Sequence, residues 1–200
     1  MISPQQALER LRSGNQRYTD SQSSRNIINA STSDRLEEVS GSQTPFAVIL
    51  GCADSRVPPE IVFDQGLGDL FVVRVAGNIA TAAEIGSIEF AVSKFGSPLV
   101  VVLGHSNCGA IAATIEHAAS PGDLSVGLQS IVGQISPVIA GLRDESGDDD
   151  LMARAVDANV EATVAQLTNN SEIIMNLCEA DKLMVTGGRY DLDSGLVTFL

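Results

Sequence analysis

The sequence predicts an α/β protein: a mostly parallel β-sheet of about five strands flanked by helices, with an antiparallel edge strand and an N-terminal helical arm. Three observations carry this expectation. The apolar runs 46–50, 70–73 and 99–103 are too short for buried helices and have the unbroken pattern of strands covered on both faces. Between the second and third, Thr81 and Glu84 make a capping box, and Ile85, Ile88, Val92 and Phe95 follow at helical spacing. A strand-helix-strand unit of this length favours parallel strands joined by a right-handed crossover.

The elements follow in order. Ser3, Pro4 and Gln6 mark a helix start, with a hydroxyl at the cap, proline at the first helical position and glutamine three residues after the cap. The helix should run to about Arg17, with Ala7, Leu8 and Leu11 on the side that packs against the main body or a partner subunit. Residues 19–43 are rich in Ser, Asn and Gln and read as loop with room for one helix. Gly96 and Pro98 end the helix that Thr81 begins. Further helices are expected over 107–119, from after the loop 120–123 to about 138, and along the face marked by Val156, Val160, Val164 and Leu167. The acidic run 145–150 reads as a solvated turn. Residues 182–185 return as a strand, Gly187 and Gly188 permit a sharp turn, and 195–199 form the last strand, antiparallel at the edge.

Two hundred residues with 44% hydrophobic content suit one domain with a real core. A net charge of −13 repels phosphate backbones, and the few scattered basic residues form no stripe, so nucleic acid is not an expected partner. No apolar run is long enough to span a bilayer, so no membrane contact is expected. The N-terminus carries charges where a signal peptide needs its apolar stretch, and a cytoplasmic location is expected. In a reducing compartment three cysteines are ligands, nucleophiles or core residues rather than disulfide partners.

Ligands of open α/β sheets gather at the carboxyl ends of the strands. The first apolar run leads into Cys52, Asp54 and Arg56, and the third into His105, Cys108 and Gly109. If those strands are neighbours, Cys52, His105 and Cys108 meet at one edge. Two thiolates and one imidazole suit zinc, and three protein ligands leave a fourth tetrahedral position open for catalysis. Zinc makes hydroxide available as a nucleophile near neutral pH. Asp54, two residues from one ligand, can orient that hydroxide, and Arg56 can keep the carboxylate ionised. Singly these residues mean little, since free cysteine is usually core. Cys178, without a ligand partner at suitable spacing, is expected to be core, and His117 a surface residue. Arg74 is expected to tie loops, Gly77 and Gly109 to serve close backbone approach, and Gly66 and Gly68 to form turns.

The motifs Cys52-Ala53-Asp54-Ser55-Arg56 and His105-Ser106-Asn107-Cys108-Gly109 resemble the signature of the β-class carbonic anhydrases. The similarity extends through residues 69–78 to Gly187-Gly188-Arg189-Tyr190 and so covers essentially the whole chain. The resemblance implies reversible zinc-dependent hydration of carbon dioxide to bicarbonate by a metal-bound hydroxide, one zinc ion per chain on Cys52, His105 and Cys108, and Asp54 with Arg56 as catalytic dyad. It also implies a homodimer or larger homo-oligomer, residues 1–45 forming an arm on a partner subunit, and a small apolar cleft at the dimer interface. By distance from the ligands, Gln43 and Phe71 match the cleft's glutamine and phenylalanine, Phe90 stands where plant-like members have tyrosine, and the Gly109 amide faces product. Closed-site members have tryptophan three residues before the first cysteine. Ile49 occupies that position here, which points to the open-site type.

Overall fold

The computed structural model describes residues 2–20, 33–142 and 151–200. The segments 21–32 and 143–150, the second of which contains the acidic run, lie outside the described residues. Helix α1 spans Pro4–Thr19 and begins at the expected capping box: the Gln6 amide donates to Ser3 Oγ (3.1 Å) and the Ser3 amide to Gln6 Oε1 (2.8 Å). Helix α2 (Ser33–Ser40) has no buried residue. Strand β1 (Ala47–Gly51) is followed by the single turn α3 (Pro59–Val62), strand β2 (Leu70–Arg74) and a 3-10 turn over Ala76–Asn78. Helix α4 (Ala82–Phe95) closes on Gly96, whose φ of 67° is the left-handed conformation that glycine adopts without strain. Strand β3 (Leu99–His105) and helices α5 (Gly109–Ala119), α6 (Val126–Leu142), α7 (Leu151–Asn170) and α8 (Glu172–Glu179) follow, then strands β4 (Met184–Tyr190) and β5 (Val197–Phe199).

The five strands lie in the order β2-β1-β3-β4-β5, parallel except for β5, which pairs antiparallel with β4 at the edge. Strands β1 and β3 are therefore neighbours, with Val48 opposite Val100 and Gly51 opposite Leu103. The unbroken apolar runs have the expected cause. Ala47, Ile49, Leu99, Val101 and Leu103 point to one face, where Ala7 and Leu11 of α1 cover them; Val48, Leu50, Val100 and Val102 point to the other, under α4 and α7. The arm helix thus packs its apolar side beneath its own chain's sheet. Asn15, buried there, ties three elements together: its Nδ2 donates to the Val62 and Gly195 carbonyls and its Oδ1 accepts from the Val197 amide.

One expectation fails. Gly187 and Gly188 do not turn the chain; they lie inside β4, and the reversal comes later, at 191–196. Their lack of side chains serves packing instead. A Cβ at Gly187 would lie 2.5 Å from Val160 Cγ1, and one at Gly104 would lie 2.6 Å from Val160 Cγ2. Helix α7 is seated deep on the sheet here, with Val156 Cγ1 also 3.3 Å from the Gly104 position.

Candidate metal centre

Chain order reverses direction across the sheet between β1 and β3, because β2 lies on one side of β1 and β3 on the other. At such a switch point the loops leaving the two strands diverge and open a crevice at the carboxyl edge. Cys52 directly follows β1, His105 is the last residue of β3, and Cys108 caps the N-terminus of α5. The expected trio meets there: one side-chain nitrogen and two sulfurs all lie within 4.8 Å of one another, with the two sulfurs 4.0 Å apart. All three residues are buried.

The trio fits a tetrahedral zinc ion. Two thiolates each about 2.3 Å from such an ion stand roughly 3.8 Å apart, close to the observed spacing. His105 Nδ1 lies 2.9 Å from the Ser106 carbonyl, which fixes the proton on that nitrogen and turns Nε2 inward with its lone pair free. Nε2 is buried with no hydrogen-bond partner among the described residues, an arrangement that a bound cation would satisfy.

Backbone donors complete the electrostatics. The Gly77 amide donates to Cys52 Sγ at 3.4 Å. The hydrogen bond from Cys108, opposed by burial and helped by His105 and the Gly77 and Asp54 amides, brings the Cys52 thiol down to about 4. The same bond and burial push the Cys108 thiol up, while the Ala110 and Ile111 amides at the start of α5 pull the other way. Burial disfavours the His105 imidazolium, but the neighbouring Cys52 sulfur, the Ser106 carbonyl and the Asp54 charge carry its pKa above the usual value.

Asp54 stands beside this cluster, with Oδ2 3.9 Å from His105 Nε2. Arg56 grips it with both arms, Nε to Oδ1 at 2.9 Å and Nη2 to Oδ2 at 2.7 Å, and adds its backbone amide to Oδ1 at 2.9 Å. The Arg56 side-chain bonds, opposed by slight burial, hold the Asp54 carboxyl far below the usual carboxylate range. Arg74 ties the loop as expected, donating to the Cys52 carbonyl (2.9 Å) and the Asp54 carbonyl (2.5 Å).

The remaining candidates separate into two groups. Gly109 begins α5 next to a ligand, and a Cβ there would meet nothing within 4 Å, so close approach within this chain does not require glycine. Gly77 does require it: its φ is 74°, and a Cβ would lie 2.8 Å from Ile135 Cδ1. Gln43 precedes β1 and lines a groove with Leu36, Val39, Leu67 and Phe95. The five residues of β1, about 3.3 Å each, separate it from the metal cluster of its own chain. Phe71, level with Val48, packs with Phe90 and Phe95 at ring distances of 6.4 and 6.1 Å, and Phe90 is more than half exposed. Cys178 is half-buried against the core, and His117 is half-buried rather than fully on the surface.

Sequence patterning does not reveal Asn159. It lies among the apolar positions of α7, is buried, and its Nδ2 donates to the Gly77 carbonyl at 2.9 Å. A polar residue beside Val156 and Val160 is its only trace in the sequence. Asn78, with φ 44° and a buried Nδ2 that has no hydrogen-bond partner among the described residues, gives no sequence signal of a role.

Comparison with known proteins returns one family. The family model described as carbonic anhydrase matches residues 47–197. The chain is 40% identical over 195 residues to carbonic anhydrase 2 of Mycobacterium tuberculosis, covering 96% of this chain and 90% of that protein. It is equally 40% identical to a carbonic anhydrase of Mycolicibacterium smegmatis over 200 residues, 97% of this chain and 92% of the other. Among solved structures, one of two tetrameric β-carbonic anhydrases from the ascomycete Sordaria macrospora superimposes with a TM-score of 0.73 at 27% identity, covering 82% of this chain and 85% of that one.

Proposed function

We propose that this chain, which belongs to the β-class carbonic anhydrase family, interconverts carbon dioxide and bicarbonate at a zinc ion held by Cys52, His105 and Cys108. The observation that carries the proposal is the meeting of two thiols and one imidazole within 4.8 Å, beside a carboxylate already locked to an arginine. Zinc in such a site supplies Lewis acidity that lowers the pKa of water to about 7, the value known for carbonic anhydrase.

The chain's own residues do the rest. Asp54 Oδ2 would accept a hydrogen bond from the nucleophilic oxygen that the metal supplies and so orient its lone pair toward the substrate carbon. Arg56 keeps that carboxylate from becoming a donor, because its fixed charge favours the ionised form. The Gly109 amide, at the positive end of α5, donates to an oxygen of the bicarbonate that forms. Arg56 engages both Asp54 oxygens and so holds this carboxylate as a partner of arginine rather than as a metal ligand, which supports the open-site reading.

Gln43, Phe71 and Phe90 stand away from the metal cluster of their own chain, which supports their lining the cluster of a second copy. The cleft is then completed in a homodimer, with the amide of Gln43 polarising substrate oxygen and the two rings making an apolar wall. Within the arm of residues 1–45, α1 is committed to its own sheet, while α2 can enter the same contact through Leu36, which is exposed in the single chain. Two thiols facing each other at 4.0 Å are kept ready for metal binding by a reducing medium, which supports a cytoplasmic setting.

Metal analysis of the purified protein with stopped-flow carbon dioxide hydration tests the proposal. About one zinc per chain and hydration that disappears on chelation are expected. A protein that holds zinc yet releases sulfide from carbon disulfide or carbonyl sulfide without hydrating carbon dioxide would overturn the choice of substrate.

A further inference from the structure

We propose that Asn159 is a positioning residue for the Cys52 ligand, holding the backbone turn whose Gly77 amide donates to the Cys52 sulfur. The inference rests on zinc binding at Cys52, His105 and Cys108. The turn Ala76–Asn78 places two consecutive residues at positive φ, Gly77 at 74° and Asn78 at 44°. Glycine and asparagine are the residues that tolerate this conformation best, so the pair permits the turn, and contacts around it decide how firmly it is held. Within the backbone it is held by the Asn78 amide on the Val75 carbonyl at 3.0 Å. From outside, Asn159 Nδ2 donates to the Gly77 carbonyl at 2.9 Å, in a buried setting where water does not compete.

The anchor is itself fixed in depth. Asn159 is next to Val160, whose two methyl groups lie over Gly104 and Gly187 so tightly that neither position has room for a Cβ. Helix α7 therefore presents the Asn159 amide at one height above the sheet, and the Gly77 peptide is set against it. On the other side of the turn the Gly77 N–H reaches Cys52 Sγ at 3.4 Å. A hydrogen bond to a metal-bound thiolate draws charge from the sulfur and fixes its direction. Loss of such a partner around a metal ligand typically lowers metal affinity by about 10- to 100-fold. Asn159 touches neither metal nor substrate, so its effect has to pass through this turn.

The test compares Asn159→Leu, a near-isostere without the donor, with Leu167→Ala, which empties a fully buried position two turns further along the same helix, away from Gly77 and from the Val160 seat. Zinc affinity is read by chelator competition, the near-ultraviolet thiolate-to-metal band after cobalt(II) substitution, and apo-protein stability by thermal melting. N159L is expected to bind zinc about 10- to 100-fold more weakly and to move the cobalt band to longer wavelength, because an unsupported thiolate gives up charge more easily. L167A is expected to melt earlier with affinity and band unchanged. Should N159L not fold, Asn159→Ala, whose smaller side chain admits water, is read in the same way. Wild-type affinity and band in either folded Asn159 variant would leave Asn159 a merely structural residue and overturn the inference. A wild-type chain that binds no zinc would overturn the proposed function with it.

Discussion

The contact between Val160 and Gly187 allows a quantitative test of how α7 is seated. Gly187→Ala places a Cβ 2.5 Å from Val160 Cγ1, where ordinary contact begins at 3.4 Å, so helix or strand must separate by about 0.9 Å. Neither side yields easily. Val160 is fully buried and β-branched, so its χ1 is stiff in a helix, and Gly187 is paired with Val102 on β3 in the middle of the sheet. Overpacking of this kind costs about 1–3 kcal/mol, offset by up to about 1 kcal/mol of unfolded-chain entropy that alanine removes. A net loss of about 2 kcal/mol is expected for G187A. Val160→Ala removes two buried methyl groups, about 0.8 kcal/mol each plus a cavity contribution, for a loss of about 2–3 kcal/mol. In the double variant the new Cβ occupies space vacated by the valine. The combined loss should fall about 2 kcal/mol short of the sum. Urea unfolding followed by far-ultraviolet circular dichroism, at one protein and zinc concentration, measures the cycle. Losses that add to within about 0.5 kcal/mol would refute the idea that these glycines exist to admit Val160.

Three further outcomes are expected. Cys108→Ala removes a sulfur ligand and should leave the purified protein without stoichiometric zinc, checked by elemental analysis. Asp54→Ala should retain zinc but lower turnover by about 10²-fold or more, the scale of a lost proton-handling group; unchanged turnover removes Asp54 from the mechanism. The depressed Asp54 pKa gives the sign of its pH dependence: the Arg56 pairing is complete above the ordinary carboxyl value near 3.9 and is lost only as pH falls toward the lower folded value. Asp54 should therefore show no titration between pH 5 and 9 by carboxyl-carbon NMR, and any inflection of turnover in that range has another source.

The sequence by itself determines the order and type of most elements. Covered strands need apolar residues on both faces, and the runs at 46–50, 70–73 and 99–103 have no other stable use. Helix ends at Ser3, Thr81 and Gly96 are local chemistry, decided within four residues. The ligands and the Asp54–Arg56 pair are legible for a related reason: rare residue types stand directly at strand ends, where α/β sheets place their sites. What the tertiary structure alone decides are contacts between distant segments. Gly187 and Gly188 suggest a turn in sequence, yet they lie in a strand because α7 comes down on them, and nothing within ten residues reports that. Asn15 and Asn159 are ordinary polar residues on helices until folding brings carbonyls 47 to 180 positions away against Asn15 and one 82 positions away against Asn159. Hydrogen bonds and packing act through space over a few ångströms, so they leave a trace in sequence only when their partners are also neighbours along the chain.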